Sequence, residues 1–98
     1  MRDVREGLVY DTEKATKLGT MESNNSFMLR RTLYRTKQGR FFTLNEYPGA
    51  KTFVSRMLSG DRPSDPRIIP LTRGEARELV WRWGLDFELA GLEAPEEA

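Results

Sequence analysis

Two runs rich in β-branched and aromatic residues, FMLRRTLYRT (27–36) and RFFTLNEY (40–47), are separated only by Lys37-Gln38-Gly39. A three-residue gap ending in glycine calls for a hairpin built on a type I turn and closed by a bulge, with Gly39 at positive φ. Loop length of this kind sets the register. Thr36 pairs with Arg40. On one side Tyr34 then faces Phe42, Thr32 faces Leu44 and Arg30 faces Glu46. On the other, Arg35 faces Phe41, Leu33 faces Thr43, Arg31 faces Asn45 and Leu29 faces Tyr47. The side with Tyr34, Phe42 and Leu44 reads as the core face. The opposite side is mixed, with cations and aromatics interleaved.

A second element is equally well marked. Thr72 and Glu75 form the T-x-x-E pattern of a capping box. Ala76, Leu79, Val80 and Trp83 follow at i, i+3, i+4 and i+7, a single apolar stripe. Gly84 supplies a left-handed stop. The pattern predicts a helix over 73–83. Trp81 lies off that stripe, which leaves two placements: flanking the core, or exposed beside Arg77 as a cation–π pair. Beyond the helix, Leu85, Leu89 and Leu92 are spaced for the chain to fold back once.

The remaining chain reads less sharply. Residues 7–12 are a short strand. Residues 12–20 suit one helical turn leading into a second strand near 16–22. ESNNS (22–26) is a loop, and PGA (48–50) ends the hairpin. Phe53, Val54, Met57 and Leu58 fit two turns of helix over 51–58. Residues 59–67 are a loop by composition. Residues 67–70 are a strand that buries the pair Ile68-Ile69 and stops at Pro70. The expected fold is a single α+β domain over 1–92, a small antiparallel sheet of three or four strands with a C-terminal helix packed across it. Residues 93–98 are expected to be an acidic, disordered tail.

Composition narrows the chemistry. The 98 residues are 38% apolar and 32% charged, with no cysteine and no histidine. Disulfides, thiolate metal sites and thiol nucleophiles are excluded, and the commonest general base and metal ligand is missing. There is no phosphate loop and no glycine-rich dinucleotide fingerprint. The carboxylate pairs Asp11/Glu13 and Asp61/Asp65 sit in loops, where such pairs cap turns more often than they hold magnesium. A non-enzymatic protein without a cofactor is expected. The opening MRDVREGLVYD has no apolar h-region and no run is long enough to cross a membrane, so a cytoplasmic protein is expected.

Charge supplies the positive signal. Residues 27–60 hold seven cations against Glu46 alone, a net of +6, whereas residues 84–98 hold five carboxylates and no cation. A basic face and an acidic tail follow, unless the tail lies over the basic face and screens it. Arg30, Arg31, Arg35, Lys37 and Arg40 on the hairpin, with Trp81 as an aromatic anchor, form the candidate contact surface. Cations interleaved with aromatics suit single-stranded nucleic acid. They equally suit a protein or ribonucleoprotein partner, and arginines also serve simply to keep a strand surface solvated.

Three stretches carry a resemblance: Tyr10, Asp11, Thr12 and Ala15; Leu33, Tyr34, Arg35, Thr36, Gly39, Phe41 and Phe42; and Ile68, Ile69, Pro70, Leu71, Thr72, Glu75 and Ala76. The pattern Y-D-T-x-x-A, L-Y-R-T-x-x-G-x-F-F, I-I-P-L-T-x-x-E-A resembles a family of small proteins carried by bacterial phages and mobile elements. The likeness spans about 8–80. It departs over 45–66, where that family tends to be glycine-rich, so nothing is carried over for that loop. Most members have no assigned activity. The setting implies an inhibitor of host defence, anti-CRISPR proteins among them, that covers a CRISPR effector protein or ribonucleoprotein in the bacterial cytoplasm. Many such inhibitors are strongly acidic mimics of DNA. A net charge of +1 points instead to direct occlusion of the partner.

Overall fold

The computed structural model describes residues 1–23, 29–46 and 66–96. The order of elements is β1 (Arg2–Arg5), β2 (Leu8–Asp11), β3 (Thr16–Glu22), β4 (Arg30–Arg35), β5 (Phe41–Glu46), β6 (Arg67–Leu71), α1 (Arg73–Arg82) and α2 (Phe87–Ala90). Strands β3-β4-β5-β6 form an antiparallel sheet in that order, and β1 pairs with β2 in a separate two-stranded sheet. This is an α+β fold, as the sequence implies. The expected helix over 51–58, most of the 59–67 loop, most of ESNNS and the Leu29–Tyr47 pair lie outside the described residues.

The central hairpin has the expected register. Tyr34 pairs with Phe42, Thr32 with Leu44 and Arg31 with Asn45. Gly39 sits at φ +81°. The turn is closed by Thr36 N–H donating to Arg40 O (2.8 Å) and Gly39 N–H donating to Thr36 O (3.0 Å). The Thr36 hydroxyl accepts from Arg40 N–H at 3.0 Å.

Both faces of this sheet are core, which corrects the reading of one core face and one mixed face. On the first, Tyr10, Phe42, Leu44 and Ile68 are buried together, with Leu8, Ala15 and Tyr34 packed against them. The β1–β2 hairpin covers this face. Tyr34 stacks on Phe42 at 5.1 Å, and Tyr10 meets Phe42 edge-on at 5.3 Å. Burial, with the Glu46 carboxylate adding to it, raises the Tyr34 phenol above its ordinary pKa. On the second face Leu18, Leu33 and Phe41 pack against Ala76, Leu79 and Val80 of α1 and against Ala90 and Leu92. Alternation puts Leu33 and Phe41 on this side, and the apolar stripe of α1 supplies the cover.

Local rules explain most boundaries. Glu6 (φ 53°) and Gly7 (φ 76°) make the two-residue turn between β1 and β2, the geometry that suits a tight hairpin. In β3 the register shifts between Lys17 and Gly19. Leu18 is the extra residue and points into the helix-side core. At Gly19 a Cβ would overlap Leu85 Cδ2, so glycine lets the chain after α1 lie directly on the strand. Two expectations for β6 are corrected. Only Ile68 is buried (1% exposed), while Ile69 is 40% exposed: alternation turns Ile69 to the helix side, where it lies outside the cluster that α1 covers. Pro70 does not end the strand, which runs to Leu71; an edge strand tolerates proline because its outer side needs no ladder donor.

Helix α1 starts at the predicted capping box. Thr72 Oγ1 accepts from Glu75 N–H (3.1 Å), and Glu75 Oε1 accepts from Thr72 N–H (2.9 Å). The Thr72 backbone N–H first, and the Thr72 side chain second, hold the Glu75 carboxyl below its ordinary pKa. The helix stops with Gly84 at φ +66° and Leu85 N–H donating to Val80 O at 2.9 Å. Asp86 then caps α2, accepting from Glu88 N–H and Leu89 N–H. The turn back is therefore built on Leu85, Phe87, Ala90 and Leu92, while Leu89 is 48% exposed. Among the described residues no helix is long and apolar enough to cross a membrane.

Candidate functional site

The six candidate contact residues do not form one surface. Strand alternation already separates Arg30 from Arg31 and Arg35. Arg30 lies on the β1–β2 side of the sheet, where its Nε donates to Glu22 Oε1 at 2.9 Å across the β3–β4 pair. Arg31 lies on the helix side, with its guanidinium carbon 5.6 Å from the centre of the Trp83 ring. Its Nε is buried without a hydrogen-bond partner, as are Thr43 Oγ1 and Asn45 Oδ1 on the neighbouring strand. Both arginines are half-buried, and each is committed to an internal contact at this end of the sheet.

The opposite end is different in kind. Arg35 closes β4, and Lys37 and Arg40 flank the turn that follows. Lys37 and Arg40 are exposed. The ion pairs among the described residues are Arg5–Asp3, Arg30–Glu22 and Arg82–Glu78, and none involves this end. A recess of about 400 Å³ opens on the helix side, lined by Arg35, Lys37, Gly39, Arg73 and Gly91 among others, and no carboxylate is in its lining. Lys37 also lines a smaller recess on the hairpin side, together with Arg2, Asp11 and Lys14. Arg40 faces that side too, beside Leu8 and Tyr10.

Two residues of the turn-end recess escape a reading of the hairpin alone. Arg73 is the first residue of α1 and Gly91 is the cap of α2. They reach Arg35 only through the docking of α1 and α2 onto the sheet. The one local signal is that Arg73 directly follows the capping threonine.

Trp81 is remote from these cations. It stands 66% exposed, on the side of α1 away from Ala76, Leu79 and Val80. With Arg77, Gly74, Glu78, Pro95 and Glu96 it lines a cavity of about 550 Å³. Of its two expected placements, exposure is the one observed. Among the described residues the cation–π contact is Arg31 with Trp83, whereas Arg77 Nε donates to the Glu93 carbonyl at 3.2 Å. The start of the acidic segment thus runs along α1, and it makes no ion pair with Arg35, Lys37 or Arg40 among the described residues.

The loop carboxylate Asp11 accepts from Glu13 N–H at 3.0 Å, a turn-capping bond. Asp61 and Asp65 lie outside the described residues. Among those described, no group of three or more acidic side chains is placed to hold a metal ion.

No family model, curated protein or solved structure matches the chain.

Proposed function

We propose that this is a non-enzymatic protein of a phage or mobile element that binds a host defence complex, a CRISPR effector, and inhibits it by protein–protein occlusion in the bacterial cytoplasm. The observation that carries the binding role is the turn end of the sheet, where Arg35, Lys37 and Arg40 stand without a carboxylate partner among the described residues. Cations left unpaired on a rigid hairpin give a partner electrostatic complementarity and a fast encounter. The motif resemblance supplies the defence setting. Absence of histidine and cysteine leaves little for catalysis to use and favours binding over turnover.

The contact surface is accordingly smaller than the list of hairpin cations. Lys37 and Arg40 lead it and Arg35 supports it. Arg30 and Arg31 belong to the packed end. Trp81 belongs to a second surface on α1, available as an aromatic anchor for the same partner only if that partner wraps around the helix.

A second reading, a small nucleic-acid-binding or regulatory protein, is favoured by the carboxylate-free recess beside Arg35. The two readings separate in a pull-down from host lysate with the tagged protein, with and without nuclease. Recovery of an effector subunit that survives digestion is the expected result. Recovery of nucleic acid alone, lost on digestion and falling steeply with salt, would replace occlusion by the second reading.

A further inference from the structure

We infer that the recess at the turn end is a binding site for a phosphate group, held between Arg35, Lys37 and Arg73. It rests on the reading of the turn end as the contact surface and names the chemistry that one part of that surface takes.

Three cations from three different elements converge there: the last residue of β4, the turn, and the first residue of α1. None of the residues lining the recess is Asp or Glu. Asp11 shares the adjoining recess with Lys37, but Arg35 and Arg73 have no carboxylate beside them in this one; gathering like charges there is unfavourable, and a bound anion reverses the sign of that term. Both arginines also lie against the same stretch of backbone. Arg73 Nη2 donates to the Gly91 carbonyl at 3.1 Å. Arg35 Nη1 stands 2.8 Å from where a Cβ on residue 91 would lie, and Gly91 is at φ +69°. Both guanidinium groups therefore bracket one glycine, and a side chain at 91 would occupy the space of the Arg35 head group. The bond that holds Arg73 before the ligand arrives lowers the ordering cost of binding.

The arrangement selects among anions. A carboxylate is planar and is satisfied by one guanidinium fork. A tetrahedral phosphate presents acceptors in several directions and suits donors set around it, two planar forks and one ammonium. The recess lies at the N-terminal end of α1, a helix of 10 residues, where the backbone dipole favours negative charge. Phe41, the aromatic residue in the lining, is only 3% exposed and offers no face on which a base could stack. The site reads the phosphate and not the base. Its source is either the backbone of a nucleic acid, such as the RNA of a ribonucleoprotein, or free phosphate.

The test is an amide and arginine-side-chain NMR titration of the full chain with inorganic phosphate, with acetate at matched ionic strength as the comparison. Phosphate should move the signals of Gly39, Arg73, Gly91 and Arg35 Nε saturably, and acetate should not. A single-stranded oligonucleotide that moves the same signals identifies a backbone source. An oligonucleotide that leaves them unmoved, with phosphate still binding, identifies the free ion. Arg35→Gln should weaken phosphate binding about tenfold. Lys37→Gln, in an exposed turn that does not depend on it for folding, should weaken it several-fold, and Arg40→Gln, outside the recess, should leave it unchanged. Equal shifts with acetate, or equal losses from Lys37→Gln and Arg40→Gln, would overturn the site. An acidic peptide that moves these signals where phosphate does not would also overturn it. Phosphate binding without capture of an effector would remove the proposed function and leave the site standing. Capture that survives while phosphate fails would do the reverse.

Discussion

Strand β4 carries arginines at both ends, and the ends treat them differently. Arg30 and Arg31, where β4 begins, are drawn into the protein's own structure: one is paired with Glu22, the other lies over Trp83 with a buried Nε. Arg35, where β4 ends, opens with Lys37 and Arg73 onto a recess without a carboxylate. Residue type alone does not distinguish these positions. Neighbours do: β3 brings a glutamate and the C-cap of α1 brings a tryptophan to one end, while the turn, the start of α1 and the α2 cap bring no carboxylate to the recess at the other. A cluster of cations along a strand is therefore not one functional surface until the elements on either side have been placed.

The largest expected effect comes from what joins the two ends. Phe42 is fully buried and contacts both Tyr10 and Tyr34, so Phe42→Ala should cost about 3–5 kcal/mol in denaturant unfolding, with binding lost because the fold is lost. At the packed end, Arg31→Glu sets a carboxylate beside the unpartnered Asn45 Oδ1 and should cost about 1–3 kcal/mol. Arg31→Met removes an unsatisfied donor and keeps the stem but gives up the charge over Trp83, and these opposed terms should leave the unfolding free energy within about 1 kcal/mol of the parent. If Arg31→Met instead abolished partner binding on an intact fold, the packed end would also be a contact surface and the contrast between the ends would break.

Thr72→Ala should cost about 1 kcal/mol through loss of the cap of α1, and by loosening Arg73 it should weaken phosphate binding as well. The capping box has a pH signature. Glu75 has a depressed pKa in the folded state, so its contribution is complete above the ordinary glutamate value and is lost as pH falls through the folded value. The difference between Glu75→Gln, which removes the titrating carboxylate, and the parent, measured by thermal unfolding, should therefore narrow in acid. The smallest effect on stability is expected at the open end. Lys37→Glu with Arg40→Glu should change unfolding by no more than about 0.5 kcal/mol.

What the sequence makes legible follows from distance along the chain. The hairpin register was readable because a three-residue loop ending in Gly39 leaves one pairing. The start and stop of α1 were readable because Thr72, Glu75 and Gly84 act within a turn of the backbone they cap. Strand β1 was not, since Arg2–Arg5 carries no apolar alternation and Val4 is 60% exposed; the Glu6-Gly7 turn was the available signal. The second core face has no local signature, because Arg31 and Arg35 flank Leu33, and only the docking of α1 shows that Leu33 and Phe41 are covered. Arg35, Arg73 and Gly91 come from separate segments, so their recess has no local signature. The cations of the candidate surface were thus identifiable, and their division into used and free was not.

The most direct test compares the double charge reversal Lys37→Glu/Arg40→Glu with the parent protein, in nuclease-treated capture of a CRISPR effector subunit and in thermal unfolding. The account predicts that capture is lost while the unfolding midpoint stays where it was. Undiminished capture by the reversed protein would contradict it, and so would recovery of nothing but digestible nucleic acid by the parent.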